Sequence, residues 1–337
     1  MSFIYNNQIK YADTPNLDAF GRLRTSNVTS LLEYKHVYSK LPLVINEVTA
    51  GTATSILDQK NAQVVMSTSA NNDYVIRQGK SRGIYQPGKG QLVEATFSNF
   101  QIETNVIKRV GYYTTSTSAP YSTVFDGILL ESNGQTGVIS FQIWQSGSTI
   151  YSAATTAWST TDYDVTNINW SLAQLMFVDY QWLGVGRIRF GLVVDGLVKI
   201  FTTYTAANNI NHVYMSAPNQ PIRYEIRQVG AGSGKLNMIC SQVSMEGSIN
   251  SLQRIIGIPA FQTQTLTTAG TKYPLIGYRL DPNWGGSNIV LRNIQSINTT
   301  NPSKSDFYLT IEWNPTLSSA SSFTGITNTP IQYALGA

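Results

Sequence analysis

Two aspartates at positions 162 and 164 have the spacing of oxygen ligands for a calcium ion. Asp162 and Asp164 place carboxylates at i and i+2, and Ca²⁺ prefers hard oxygen ligands arranged in this way. The glycine and the bidentate glutamate of a calcium loop do not follow, so a solvated loop is favoured and a calcium site stays open. His36 and His212 each lack the second ligand at i+2 to i+4 that a zinc site needs. We therefore predict no metal centre and no cofactor.

Two glycine-rich stretches differ from nucleotide-binding loops in the positions that matter. Residues 184–189 (GVGRIR) have Arg187 where a dinucleotide fingerprint has its third glycine, and a strand pattern follows instead of a helix. Residues 230–236 (GAGSGKL) lack the four-residue spacer of a phosphate loop and the Ser or Thr after Lys235. Both stretches are predicted to be turns.

Residues for covalent or hydrolytic catalysis are not arranged in a recognisable site. No Gly-x-Ser-x-Gly motif occurs, and a serine without a nearby histidine has no base. Glycoside hydrolysis needs only two carboxylates, and the chain has 19 Asp and Glu, but nothing in the sequence pairs them. We predict that the chain is not an enzyme, and a polysaccharide-degrading spike is the weakest alternative.

Aromatic residues concentrate ahead of the strand that begins near residue 187. The chain contains 19 Tyr, 12 Phe and 6 Trp, and large rigid rings can stack on sugars or anchor a protein interface. The candidate glycan or partner surface consists of Trp158, Trp170, Tyr180 and Trp182. The alternative is that these rings fill a hydrophobic core.

The stretch from Val178 to Phe201 predicts two strands joined by a tight turn. Apolar side chains at 188, 190, 192 and 194 alternate with residues 187, 189, 191 and 193, which is the period of a half-buried strand. Asp195-Gly196 follows, and this dipeptide is typical of a two-residue hairpin turn. The segment predicts a β-built binding or structural protein.

Short strands separated by turns fill the chain from about residue 41 to 248. They lack intervening amphipathic helices, which favours an antiparallel β-sandwich over a parallel βαβ sheet. We expect an N-terminal arm at 1–40 with a short helix within 30–40, a large sandwich domain at 41–250, and a smaller C-terminal β domain at 255–337. The strands of the C-terminal domain are predicted around 273–280, 287–298, 307–314 and 331–333.

Charge is scarce for a protein of 337 residues. Only 12% of the residues are charged, against roughly 25% in typical soluble domains, and such a surface suits a protein packed against neighbours, although an ordinary secreted β domain is the alternative. The net charge of +4 comes without a run of Lys and Arg, so nucleic acid is not expected as a partner.

The single cysteine and the first residues of the chain are informative about the cellular compartment in which the protein is made. Cys240 lies in an apolar run and is predicted to be a buried thiol, with no intramolecular disulfide. The first residues lack the pattern of a signal peptide, and no apolar stretch reaches the 18 residues of a membrane span. We expect synthesis in a cytoplasm and no membrane partner.

Several stretches together resemble a family of virion-associated proteins of tailed bacteriophages, many of them marine. They lie at 18–24 (DAFGRLR), 74–78 (YVIRQ), 85–89 (YQPGK), 108–112 (KRVGY), 182–191 (WLGVGRIRFG), 213–216 (VYMS), 221–225 (PIRYE) and 314–316 (NPT). The hairpin that ends in Val-Asp-Gly is also similar to the strand pair of concanavalin-like sugar-binding sandwiches. The fold expected is thus all-β, an antiparallel sandwich of jelly-roll or concanavalin-like type.

The resemblance implies a structural component of a phage particle, such as a head decoration, head fibre, tail fibre or baseplate-associated protein. Major capsid or tail proteins are then its partners, the virion is its location, and the host cytoplasm its place of synthesis. We expect a homo-oligomer, with a trimer as the usual state of fibres. A receptor-binding module that recognises host surface glycans is the alternative function.

The N-terminal arm is predicted to dock on a neighbouring subunit. Phe20 would be its apolar anchor, and Arg22 and Arg24 would be bidentate donors. The alternative is that the arm packs on its own domain.

Overall fold

Two antiparallel sheets, packed face to face over one hydrophobic core, form the main unit of the chain. The computed structural model describes residues 2–5, 8–11, 17–18, 22–159, 163–249, 265, 267–268, 270–281, 289, 311–312, 322–326, 329 and 331–335. Contacts divide the chain into one unit at residues 1–251 and a second at residues 252–337.

The strands of the main unit form two large sheets and one small one. They are numbered in the order in which they occur along the chain. The seven-stranded sheet has the order β12 (Ser148–Ala154), β11 (Val138–Gln145), β10 (Val124–Asn133), β9 (Val106–Thr115), β16 (Ile222–Gln228), β7 (Tyr74–Gly79) and β4 (Ile45–Ala50). The eight-stranded sheet has the order β15 (Leu197–Tyr204), β14 (Ile188–Val194), β13 (Gln174–Tyr180), β8 (Gln91–Ser98), β17 (Gly234–Glu246), β6 (Gln63–Thr68) and β5 (Thr54–Asp58), with β3 (Val28–Lys35) also paired to β17. A separate two-stranded sheet joins β1 (Ser2–Tyr5) to β2 (Gln8–Tyr11).

Alternating side chains of both sheets fill the space between them. In β8, Val93, Ala95 and Phe97 are buried, and the residues between them are partly exposed. In β16, Tyr224 and Ile226 point into the same core. Each fully buried side chain of this size contributes about 1.5–3 kcal/mol relative to its exposed state, so the alternation fixes which face of each strand is inside.

The predicted all-β sandwich and the predicted hairpin are confirmed. Strands β14 and β15 pair in an antiparallel register that joins Val194 to Leu197. Asp195 and Gly196 have φ of 52° and 74°, as a turn that matches the twist of the two strands requires. Both glycine-rich stretches are connections that lead into strands, as predicted.

The segment predicted as a short helix within residues 30–40 is instead β3. Leu32, Tyr34 and His36 are buried in alternation with exposed residues, and the strand pairs with the second half of β17, from Cys240 to Glu246. The helix prediction was wrong because that partner lies more than 200 residues along the chain. The sandwich therefore includes part of the predicted arm.

Cys240 is exposed, which corrects its prediction as a buried thiol. The pairing of β17 with β8 shifts register between Met238 and Cys240. An irregularity of this kind changes which side chains face the core. The apolar neighbours of Cys240 in the sequence therefore did not indicate its orientation.

Charged side chains cover much of the face of the seven-stranded sheet that points away from the core. Glu225 of β16 is fully buried there, and its carboxylate accepts hydrogen bonds from Arg223 (2.7 and 2.9 Å), Arg227 (2.6 Å) and Arg109 (3.0 Å). Arg109 of β9 also pairs with Glu131 of β10 at 2.7 Å. We call these five residues the arginine–glutamate network.

The loop at residues 116–123 lies over the arginine–glutamate network. The carbonyl oxygen of Tyr121 accepts hydrogen bonds from Arg227 (2.6 Å) and Arg223 (3.3 Å), and that of Ser122 accepts one from Arg109 (2.8 Å). The guanidinium groups thus have carboxylate and carbonyl partners, as buried charges need. The loop shields this face of the sheet from solvent, whereas many antiparallel sandwiches leave the corresponding face exposed to water.

The C-terminal unit contains a three-stranded antiparallel sheet with the order β18 (Ile276–Leu280), β20 (Ile331–Leu335) and β19 (Thr324–Gly325). Strands β18 and β20 overlap the predictions at 273–280 and 331–333, whereas β19 lies outside every predicted strand. The predictions at 287–298 and 307–314 lie almost wholly outside the described residues. Among the residues that are described, no helix is long and apolar enough to cross a bilayer.

Candidate interaction surface

Two of the four aromatic residues predicted to form a glycan or partner surface are buried. Trp158 stacks on Phe201 with ring centroids 5.5 Å apart, and its Nε1 donates to the carbonyl oxygen of Ala153 at 3.0 Å. Tyr180 is fully buried, and its hydroxyl donates to Gln91. Trp158 and Tyr180 therefore do not belong to the predicted surface, because neither ring can reach a ligand without unpacking the core.

The other two aromatic residues are partly buried against the same core. Trp170 packs beside Phe100, with 5.9 Å between ring centroids. Trp182 meets Tyr85 edge to face at 5.7 Å and donates from Nε1 to the carbonyl oxygen of Met215 at 3.2 Å. The four side chains therefore do not form one open platform, and the core alternative describes them better.

The aspartates at which a calcium site stayed open form no metal site in the part of the chain that is described. Asp164 accepts hydrogen bonds from the backbone N–H (2.9 Å) and the hydroxyl (2.7 Å) of Thr166. It thereby caps a short 3₁₀ turn, Val165–Asn167. Asp162 lies outside the described residues. No group of three His, Cys, Asp or Glu side chains in the described part has the geometry of a metal centre.

A short turn near the N-terminus is closed by Asp18. The backbone N–H of Asp18 donates to the carbonyl of Arg22 at 2.8 Å, and the N–H of Arg22 donates back to Oδ1 of Asp18 at 2.8 Å. Leu17 and Leu23 form a β-bridge beside these bonds. We call residues 17, 18 and 22–24 the clasp.

The clasp is bound to the outer face of the eight-stranded sheet of its own domain. The guanidinium of Arg24 pairs with Asp179 of β13, and its Nε lies 3.1 Å from Glu246 of β17. Arg189 of β14 pairs with the same Asp179 and donates to the carbonyl of Leu17. Burial, helped by the carboxylates of Asp18 and Asp179, raises the pKa of Glu246 although Arg24 opposes the shift.

The guanidinium of Arg24 thus binds Asp179 and Glu246 of its own domain, and the predicted docking of Arg24 on a neighbouring subunit stays a prediction. Arg22 has a side chain that is 60% exposed and pairs with Asp18 at 2.5 Å. Phe20, the predicted apolar anchor of the arm, lies outside the described residues. Leu17, Arg24 and β3 thus contact the arm's own domain, as the alternative describes.

Replacing Arg24 by alanine is expected to loosen the clasp. The loss of a charge-assisted contact to Asp179 should cost about 1.5–3 kcal/mol, whereas Arg22→Ala should cost under about 1 kcal/mol, since the side chain of Arg22 is largely exposed. Limited proteolysis with N-terminal sequencing measures the release of residues 1–24, and urea unfolding measures the stability. Equal protease resistance of the two variants would contradict the assigned role of Arg24.

Exposed apolar side chains cluster in the connection between β3 and β4, at residues 37–44, which we call the tip. Tyr38 and Leu43 are 85% and 88% exposed, and Val37 and Val44 are 40% and 43% exposed. Single exposed apolar residues are ordinary, but several within one short segment indicate a contact surface. The tip is therefore the candidate interaction surface of the main unit.

The backbone of the tip is held in place by its own domain. Leu41 packs partly into the core, and its carbonyl accepts hydrogen bonds from the N–H groups of Val44 (3.1 Å) and Ile45 (2.8 Å). Lys80 donates from its backbone N–H to Val44 and from Nζ to Pro42, both at 2.8 Å. Leu41 also has φ of 59°, which costs a non-glycine residue about 1–2 kcal/mol. Such strain persists only where the surroundings impose it.

An ion-pair cluster lies at the base of the tip. Arg77 of β7 is buried, pairs with Glu47 of β4, and donates to the carbonyl of Lys40. Lys40 donates from Nζ to Glu47 and to the carbonyl of Ser55 (3.0 Å). The charges at the base of the tip are thus paired with one another, and the tip offers its apolar side chains on a fixed support.

The sequence contains a local signal for the tip. Residues 41–44 read Leu-Pro-Leu-Val, and proline at this point predicts a turn, where exposed apolar residues are out of place unless they have a function. The exposure of Leu43 could have been expected from that conflict. The supporting contacts of Arg77 and Lys80 could not, since they come from another strand.

Comparisons with known proteins provide no family for the chain. No family model matches it, and no curated protein matches it. Among solved structures it is similar to a Bacillus licheniformis beta-glucanase (11% identity, TM-score 0.40, 66% of this chain and 99% of that chain), to the Emp47p carbohydrate recognition domain (13%, 0.42, 66% and 97%), and to SO2946, a protein of unknown function from Shewanella oneidensis MR-1 (11%, 0.44, 71% and 94%). Likenesses this distant have no bearing on what this chain binds.

Proposed function

We propose that this chain is a structural component of a tailed-bacteriophage particle and that it assembles through its apolar tip. The observation that carries the proposal is the exposure of Tyr38 and Leu43 on a backbone that the domain itself holds fixed. A backbone held in this way loses little conformational freedom on binding, which favours association. Tyrosine is among the residues enriched in the hot spots of protein interfaces, and a cluster of exposed apolar side chains marks a contact surface.

The sequence supports the particle assignment independently of the tip. The strings at residues 18–24 and 182–191 carry the resemblance to virion-associated proteins, and the charged fraction of 12% suits a subunit that packs against others. A head decoration, a fibre or a tail appendage would all use such a contact. Glycan recognition, the alternative function, loses its predicted surface because Trp158 and Tyr180 are buried.

The number of copies per purified particle is the measurement that tests the assignment. Quantitative mass spectrometry against the major shell protein should find tens to hundreds of copies for a shell or decoration component. A small number in multiples of three or six would indicate a fibre or tail-tip protein. Absence from the particle would rule out the proposed function.

Removing the apolar anchors of the tip should prevent incorporation into the particle. The double variant Tyr38→Ser, Leu43→Ser is expected to reduce the copy number at least about tenfold, because hot-spot side chains contribute roughly 2 kcal/mol or more each. The matched control is Val28→Ser, Leu197→Ser, which removes two similarly exposed apolar side chains elsewhere. Both variants should unfold within about 1 kcal/mol of the unmodified chain, and equal incorporation of the two would contradict a role for the tip.

A further inference from the structure

The rim of the tip is positively charged. Lys35, the last residue of β3, is exposed two positions before Val37, and exposed Lys80 reaches Pro42 with its Nζ. Within the described part of the chain, neither lysine is ion-paired. Glu47, the acidic residue at the base of the tip, already binds Arg77, Lys40 and Ser55. A partner that covers the tip would thus meet two lysines without carboxylate partners.

Apolar anchors with two lysines beside them fit one kind of surface on another protein. Burying Tyr38 and Leu43 requires an apolar pocket, and the lysines at its edge favour carboxylates at the rim of that pocket. The hydroxyl of Tyr38 adds a donor that a backbone carbonyl or carboxylate within the pocket could accept. Charge complementarity therefore selects an acidic-rimmed pocket.

A lipid bilayer fits the tip less well than a protein does. The tip is a turn that contains Ser39 and Pro42, and irregular backbone exposed to hydrocarbon leaves polar groups without partners. A protein pocket can supply hydrogen-bond partners for the turn, which hydrocarbon cannot.

A second copy of the chain also fits less well. Two clefts on the described surface of the main unit are lined by polar and charged groups, among them Arg24, Lys89 and Glu246 in one and Thr68, Glu103 and Lys235 in the other. Neither offers an apolar seat for Tyr38 and Leu43. These two clefts therefore do not receive the tip, which favours a different protein as its occupant.

We propose that the tip seats in an apolar pocket of a different particle protein, with carboxylates at the rim of that pocket facing Lys35 and Lys80. This inference rests on the proposed function, because it names the kind of partner that the tip would bind within the particle.

Cross-linking from the tip within assembled particles tests the inference. A benzophenone amino acid in place of Tyr38 should cross-link, on irradiation, to an apolar segment of another virion protein. A carbodiimide should join Lys35 or Lys80 to Asp or Glu side chains of that same protein. Cross-links to other copies of this chain, or the lack of any carboxylate cross-link from either lysine, would overturn the inference while the copy number still supports the proposed function.

Charge reversal at the rim provides a second test with a matched control. Lys35→Glu should lower the copy number at least about fivefold, because like charges facing each other across an interface are costly. Lys60→Glu, an exposed lysine in the turn between β5 and β6, should leave the copy number unchanged. Equal copy numbers for the two variants would contradict an acidic rim.

Vesicles test the lipid alternative directly. The purified chain should not co-sediment with vesicles of phosphatidylserine and phosphatidylcholine. Co-sedimentation that the Tyr38→Ser, Leu43→Ser variant abolishes would overturn the inference in favour of a membrane. If the unmodified chain is absent from particles, the proposed function fails first and the partner assignment fails with it.

Discussion

Replacing Glu225 by glutamine is expected to lower the free energy of unfolding by about 3–5 kcal/mol, the cost of breaking a buried ion pair from one side. Glutamine has nearly the same volume, so no cavity forms, but among the described residues Arg109, Arg223 and Arg227 then keep only Glu131 as a carboxylate partner. The remaining guanidinium groups repel one another beneath the loop at residues 116–123. Urea unfolding at pH 7 measures the loss.

The effect of Glu225→Gln should depend on pH in a defined direction. Burial opposes the charged form of Glu225, but the three guanidinium groups outweigh it and lower the pKa from 4.5 to about 2. A carboxyl group whose folded pKa is depressed stabilises the fold above its unfolded pKa, and that stabilisation is lost as the pH falls toward the folded value. The difference between the two proteins should thus be full above pH 4.5 and should shrink between pH 4.5 and 2.

Two further variants distinguish the effect of disrupting the arginine–glutamate network from the effect of losing any glutamate. Glu33→Gln, at an exposed position of β3, should change the stability by less than about 0.5 kcal/mol. The double variant Glu225→Gln, Arg227→Gln should recover part of the loss, because contacting residues are energetically coupled. If Glu225→Gln is no more destabilised than Glu33→Gln, the stability of the arginine–glutamate network does not depend on the charge of Glu225.

The alternation of core-facing and outward-facing side chains predicted the strands well, because this pattern depends only on the two faces of the strand itself. Residues 188–194 and the Asp195-Gly196 turn needed no information from elsewhere in the chain. The same reasoning failed at residues 30–40, where Leu31, Leu32 and Tyr34 are compatible with a helix or a strand. The segment is a strand because β17 supplies hydrogen-bond partners for its backbone, and nothing in the local sequence indicates that.

The candidate site was harder to predict than the fold, since exposure depends on distant parts of the chain. The sequence of β16 predicts a strand with one solvent-exposed face, because Arg223, Glu225 and Arg227 alternate with Tyr224 and Ile226. The loop at residues 116–123 nevertheless buries that face. Conversely, Trp158 has the chemistry of a binding residue but packs on Phe201. Residue type alone did not distinguish the core from the surface in either case.

Acidification from pH 6.5 to 4 is expected to destabilise the main unit through His36. The imidazole is buried, its Nδ1 lies 3.4 Å from the carbonyl oxygen of Ser39, and its Nε2 has no hydrogen-bond partner among the described residues. Burial, with Arg77 as a further cause, lowers the pKa from 6.5 to about 4, against weaker opposing effects of Ser39 and Glu47. The folded state therefore favours neutral His36.

The sign of this effect follows from which state binds the proton first. Below pH 6.5 the unfolded chain protonates its histidine while folded His36 stays neutral, so stability falls until the pH reaches about 4. The loss should be on the order of 2–3 kcal/mol, because each pKa unit corresponds to about 1.4 kcal/mol. Since His36 directly precedes the tip and contacts Ser39, its neutral form also supports the first turn of the tip.

Comparison of variants isolates His36 from other groups that titrate in this range. Burial raises the pKa of Asp126 to about 6, so the folded state binds a proton there first and gains stability on acidification, which is the opposite sign. That contribution is common to all variants and cancels in differences. Urea unfolding at pH 7, 5.5 and 4 should show a smaller loss for His36→Gln than for the unmodified chain, whereas His212→Gln, at an exposed position, should retain the full loss. Parallel pH profiles for all three proteins would mean that buried His36 does not control this transition.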